Sequence, residues 1–105
     1  MDTLDKNNFL FTHLVLSLHT ATMQQLGKIK NPFTDKVERD LNGAQGSIDM
    51  LEMIRDKTKG NLNNDESRMI GQVLQELRLN YVDEVNKPEP APSKETDKAP
   101  ETESK

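Results

Sequence analysis

The sequence has no cysteine and no tryptophan. The first absence excludes disulfide bonds and thiolate metal sites. With the second, and with only Phe9, Phe11, Phe33 and Tyr81 as aromatics, any core has to be built from Leu, Ile, Val and Met. Long apolar runs are missing as well. The most apolar stretch, residues 9–18, is broken by Thr12, His13 and Ser17 and falls far short of the roughly 20 apolar residues that span a bilayer. Asp2, Asp5 and a single Lys6 precede it in place of a cationic leader region, and no small-x-small cleavage site follows. It reads as a helix of a folded cytoplasmic domain. Nor is there an excess of positive charge: 14 Lys and Arg stand against 18 Asp and Glu, a formal net charge of −4. That balance argues against DNA or other non-specific nucleic-acid binding, which rests on clustered cations neutralising phosphates. It argues equally against a polybasic membrane anchor.

What is present is one domain's worth of chain, 105 residues, with its apolar residues gathered before about residue 85. A single core of this size supplies only about 3–5 kcal/mol, and small folds commonly add disulfides, a metal or oligomerisation. Of those three, self-association is the one left open. The composition breaks at Asn86. From there the chain reads NKPEPAPSKETDKAPETESK, with four of the five prolines and only Ala91 and Ala99 as apolar side chains. Such a segment cannot bury enough surface to offset its ordering entropy. The expected organisation is a helical domain over residues 5–85 and a disordered, acidic, Pro-rich tail over 86–105.

Three helices are expected and no strand. The first runs from about Asp5 to Leu26, with Gly27 placed for a left-handed C-cap. At 3.6 residues per turn, Leu10, Phe11, Leu14, Val15, Leu18, Ala21 and Leu26 form one broad stripe, and Phe9, Leu16 and Met23 stand nearly opposite it. A helix apolar around most of its circumference is sandwiched between other helices or packed on another chain. In the connection over residues 28–40, Asn31-Pro32 signals a turn, and Ile29, Phe33 and Val37 are the expected apolar pins to the body. The second helix is capped by Asp40, runs to about Thr58 and stops at Gly60. Its stripe is Leu41, Ala44, Ile48 and Leu51, with Arg55 projecting from its middle. Asn63 followed by Glu66 forms a capping box for the third helix, which continues to about Val85 with Ile70, Val73, Leu74, Leu77 and Tyr81 on one face. The short link after the second helix favours an antiparallel hairpin. The fold class is therefore an all-α, three-helix bundle, with the hairpin packed on the apolar first helix.

These stretches carry a resemblance. The apolar first helix ending at Leu26-Gly27, the turn Asn31-Pro32-Phe33-Thr34 and above all Ile48-Asp49-Met50-Leu51-Glu52-Met53 leading into Lys57-Thr58-Lys59-Gly60-Asn61-Leu62 resemble a bacterial family filed as domain of unknown function 1844. The ending from Glu76-Leu77-Arg78 to Tyr81-Val82 is similar too. The family's turn more often carries glycine where this chain has Asp35. The resemblance implies one intact domain over residues 9–82 and brings no catalytic residues with it.

No pattern of catalysis, metal binding or cofactor binding stands out, so the expectation is a protein that is not an enzyme. His13 and His19 point about 120° apart on a helix and cannot share a metal, which needs i, i+3 or i, i+4 spacing. Asp49, Glu52 and Asp56 line one side of the second helix, but hard cations draw ligands from more than one segment, and a solvated acidic face is the plainer reading. The five glycines form no phosphate loop and the serines no nucleophile elbow. Arg55 within the apolar stripe has to snorkel, find a carboxylate or meet a partner. The candidate partner-contact residues are Phe9, Leu16, Met23 and Arg55, in a module that self-associates or binds another protein through its first helix. The alternative is an RNA- or ribosome-associated accessory factor using Lys28, Lys30, Lys36 and Arg39 of the connection, although Asp35, Glu38 and Asp40 interleave with them.

Overall fold

A computed structural model describes residues 2–87. The disordered tail expected from Asn86 onward lies outside the described residues from residue 88 on. Within them the chain folds into α1 (Thr3–Gln25), α2 (Leu41–Lys57) and α3 (Asn64–Val85).

Each helix starts where a short polar side chain satisfies the orphan amides of the first turn. Asp2 accepts from the Asp5 amide at 2.8 Å, which starts α1 two residues earlier than expected. Asp40 accepts from the Gly43 amide at 3.0 Å. A Cβ at position 43 would sit 2.4 Å from Asp40 Oδ2 and 2.9 Å from Gln25 Nε2, so the capping carboxylate and the Gln25 amide would have to shift to admit one. At α3 the capping box closes both ways, the Glu66 amide donating to Asn63 Oδ1 at 2.7 Å and the Asn63 amide to Glu66 Oε1 at 3.0 Å. The end of α1 is a Schellman motif, with Gly27 at φ 79°. Its amide donates to Gln24 O at 3.0 Å and that of Lys28 to Met23 O at 2.9 Å.

The topology is up, down, up. Residues 58–63 join α2 to α3, and further along both helices Arg78 meets Glu52, so the two form an antiparallel hairpin. The pairs His19–Glu76 and Lys28–Glu84 advance together along both chains, which sets α1 parallel to α3. Antiparallel to α2, α1 meets it where Gln25 O accepts from the Asp40 amide at 2.7 Å and Gln25 Oε1 from the Ser47 hydroxyl at 2.7 Å. The core between them is Val15 and Leu26 from the first segment, Ala44, Ile48 and Leu51 from α2, and Ile70, Val73, Leu74 and Leu77 from α3.

The connection is not held as its composition implies. Ile29, Phe33 and Val37, the expected pins, are exposed, Phe33 at 96%. The turn closes on itself instead: Asn31 N–H donates to Lys36 O, Asp35 N–H to Asn31 O and Phe33 N–H to Asn31 Oδ1, all at 2.7–2.9 Å. Asp35 takes φ 57° to complete it, a left-handed conformation that Asp tolerates and glycine takes freely. The tight turn leaves Phe33 on the outside. What ties the segment to the body is charge at its two ends, through Lys28 and Arg39.

Candidate functional site

The polar groups that could do chemistry are mostly engaged with one another. Glu84 is buried, with Lys28 Nζ at 2.7 Å, Lys87 Nζ at 3.0 Å and Arg39 Nη1 at 3.6 Å. Asp83 lies beside it, 2.9 Å from Lys28 and 3.1 Å from Lys87. Burial pushes the Glu84 carboxyl up, but hydrogen bonds from Lys28 and Lys87 outweigh it and leave the group below its ordinary value. Hydrogen bonds from the same two lysines hold Asp83 low, and those to Asp83 and Glu84 raise Lys28. This cluster clamps the end of α1 and the end of the connection onto the last turn of α3. Nothing in the spacing of the sequence announces it, because its cations come from three separate segments.

The cluster also takes up the two ends of the basic connection. Lys28 and Arg39 face Glu84, and Lys30 lies 3.8 Å from Asp35. Opposite, the acidic row of α2 is occupied: Asp49 accepts from Gln45 at 2.8 Å, Glu52 meets Arg78, and Asp56 lies 3.5 Å from Arg55. Among the described residues no group of three or more His, Asp and Glu is placed to hold a metal ion. His19 Nε2 stands 3.3 Å from Glu76 Oε1, a close approach between α1 and α3 in which the buried nitrogen makes no hydrogen bond. A shallow polar cleft lined by Gln24, Gln25, Asn31, Glu38 and Asp40 lies beside the connection, with no nucleophile among those residues.

The apolar surface is the other candidate. Among the described residues, thirteen large apolar side chains are exposed, against nine in the core, and five of the thirteen are on α1: Leu4, Phe9, Leu10, Leu14 and Leu16. Within α1 only Val15 and Thr22 are fully buried, seven residues apart. Thr22 satisfies its hydroxyl by donating to Leu18 O at 2.7 Å, so the line through Val15, Thr22 and Leu26 is the true centre of the buried face. Leu10 and Leu14, expected within the core stripe, sit at its margin.

The four residues singled out in sequence do not form one surface. Phe9 and Leu16 share an exposed edge, with the Phe9 ring 6.2 Å from the His13 ring. Met23, on the same side two turns on, packs half-buried against the core. Arg55 does not project from the middle of the α2 stripe. It stands at the margin, 3.5 Å from Asp56 and 3.9 Å from Glu52, a local pairing of the kind worth at most about 1 kcal/mol at a surface. Missed in sequence were Phe33, taken for an anchor, and the half-exposed Met50 and Met53.

A family model described as domain of unknown function (DUF1844) matches residues 8–83. The chain belongs to this family. The DUF1844 match runs from the second turn of α1 into the last turn of α3 and takes in the whole core, so the three-helix bundle is the family domain here. No curated protein and no solved structure matches the chain. Among the described residues no helix is long and apolar enough to cross a membrane.

Proposed function

We propose that this DUF1844 domain acts by binding and not by catalysis, as a helical module that self-associates or docks another protein through α1. One observation carries the reading. α1 exposes Leu4, Phe9, Leu10, Leu14 and Leu16 while burying a single large apolar side chain, Val15. Exposed apolar surface of this extent on a small domain marks an interaction site. The engagement of Lys28 and Arg39 with Glu84 counts against an RNA-binding connection, since those cations are already neutralised. Light scattering after size exclusion tests self-association. The expected mass is a multiple of 11.9 kDa, and a monomer that persists at high protein concentration overturns it.

A further inference from the structure

Asn42-Gly43 is the only asparagine–glycine pair in the chain. In such a pair the glycine nitrogen can attack the amide carbon of the asparagine side chain. Glycine offers no side chain to obstruct the approach, and it reaches backbone conformations closed to other residues. Every other asparagine precedes a residue that carries a side chain. Asn31 precedes Pro32, which has no N–H to give up.

The fold guards the pair. Asn42 is exposed in the first turn of α2, so water reaches its side chain. The Gly43 amide is not free, because it donates to Asp40 Oδ1 at 3.0 Å. That nitrogen attacks only after losing its proton, and a carboxylate holding the proton opposes the loss. Helical backbone is a second restraint, since ψ of Asn42 has to leave the helical range before the nitrogen can reach the side-chain carbon. Both restraints lapse when the first turn of α2 opens. The same turn joins α2 to α1: the Asp40 amide donates to Gln25 O and the Ser47 hydroxyl to Gln25 Oε1, each at 2.7 Å. A Cβ on Gly43 would press on Asp40 and on Gln25 Nε2. Packing at this joint therefore favours glycine, and so keeps the labile pair in the chain.

We infer that Asn42 is a site of spontaneous deamidation, gated by the Asp40 cap. The Gly43 nitrogen bonds to Asn42 Cγ, the bond from Cγ to the side-chain nitrogen breaks, and that nitrogen leaves as ammonia with the proton Gly43 gave up. The cyclic imide then takes up a water and opens at either carbonyl, to aspartate or to isoaspartate. Isoaspartate lengthens the backbone by a methylene that the helical repeat does not accommodate. Modification thus undoes the turn that Gln25 holds and loosens the joint between α1 and α2. The site is independent of whatever α1 binds.

The test incubates the full chain at mildly alkaline pH and follows the tryptic peptide over residues 40–55 by mass spectrometry. Asn42 is the only asparagine in that peptide. Chain denatured in guanidinium sets the open-state rate, and the folded parent should react far more slowly, giving both aspartate and isoaspartate forms. Asp40→Ala should speed the folded chain about fivefold, the factor by which losing an N-cap raises an open population. Asp40→Ser restores a capping oxygen and should stay within about twofold of the parent. Should Asp40→Ala lose its helical circular dichroism, the parent is read in low guanidinium instead. There the rate at Asn42 should rise in step with hydrogen exchange of the Gly43 amide. A folded Asp40→Ala that reacts no faster than the parent, or a rate that stays flat while that exchange rises, overturns the gate. A denatured chain in which Asn42 reacts no faster than Asn61, Asn63 and Asn64 overturns the site.

Discussion

α1 and α3 are nearly the same length, 23 and 22 residues, and both are rich in large apolar side chains, yet they spend them differently. α3 buries Ile70, Val73, Leu74 and Leu77 along one stripe, while α1 fully buries Val15 and the small polar Thr22. In α3 the apolar residues from Ile70 to Leu77 recur at the spacing of one helical face, so packing consumes them, and only Leu79, Val82 and Val85 toward its end are left exposed. Around α1 they are spread, and a three-helix bundle has only enough neighbouring surface to cover one line of them. The apolar content of α3 explains the fold; that of α1 exceeds what the fold needs, and the excess is where a partner should be sought.

The sharpest way to break this comparison is the same truncation on each helix. Leu77→Ala removes a fully buried side chain and should cost about 3 kcal/mol, a fall in midpoint temperature of more than about 10 °C for a domain of this size. Leu16→Ala on α1 should change stability by less than about 0.5 kcal/mol. Denaturant melts of both, at a concentration where the parent's association state is known, check the pair. Equal losses would mean that α1 is as deeply committed to the core as α3.

The sequence is most informative where the governing chemistry is local. The caps at Asp40 and Asn63, the stop at Gly27 and the α3 stripe can all be read from residues within one or two turns of each other, and all are found in place. Reading fails where the outcome depends on which segments meet. Ile29, Phe33 and Val37 look like anchors by composition, but the Asn31 turn aims Phe33 outward, and the holding force comes from Lys28, Arg39 and Lys87 converging on Glu84. Of the candidate contacts, Phe9 and Leu16 are exposed as expected because they lie opposite the stripe. Met23, on the same side, is not, because α3 covers that end of α1. Met50 and Met53 can be recognised as half exposed only once it is known which sides of α2 meet α1 and α3.

The next effect in size lies where α1 and α3 are joined by charge. Glu84→Gln keeps the shape and removes the carboxylate from its three cations, and should cost about 2 kcal/mol at neutral pH, the scale of hydrogen bonds to a charged group. Acid should act on the same clamp. Asp83 and Glu84 have folded values below their ordinary ones. Their contribution is therefore present above the unfolded carboxyl range, near about pH 4. It is lost as pH falls through the folded values. Lys28 is raised, so its share persists at and below its ordinary value and is lost only in strong alkali. Thermal melts between neutral pH and about pH 3 should show a shallower acid dependence for Glu84→Gln than for the parent. Parallel curves would mean that the cluster adds no pH-dependent stability.

The smallest effect concerns the connection that leads from the end of α1 into α2, whose middle has neither apolar burial nor a buried charge to hold it. If backbone geometry organises the turn, the left-handed Asp35 is its sensitive point. Asp35→Gly removes the cost of a side chain at φ 57°, at the low end of about 1–2 kcal/mol because Asp tolerates this region. It also adds unfolded-state freedom worth about 0.4–1 kcal/mol. The two nearly cancel, so the glycine variant should match the parent to within about 0.5 kcal/mol. Asp35→Ala keeps the strain, loses the polar side chain that makes it tolerable, and should cost about 1 kcal/mol. Its hydrogen exchange should speed up at the Asp35 and Lys36 amides more than in the α3 core. Were Asp35→Ala to exchange and melt like the parent, the left-handed residue would not be what holds this turn, and the two ends of the connection, Lys28 and Arg39 on Glu84, would be left as its whole support.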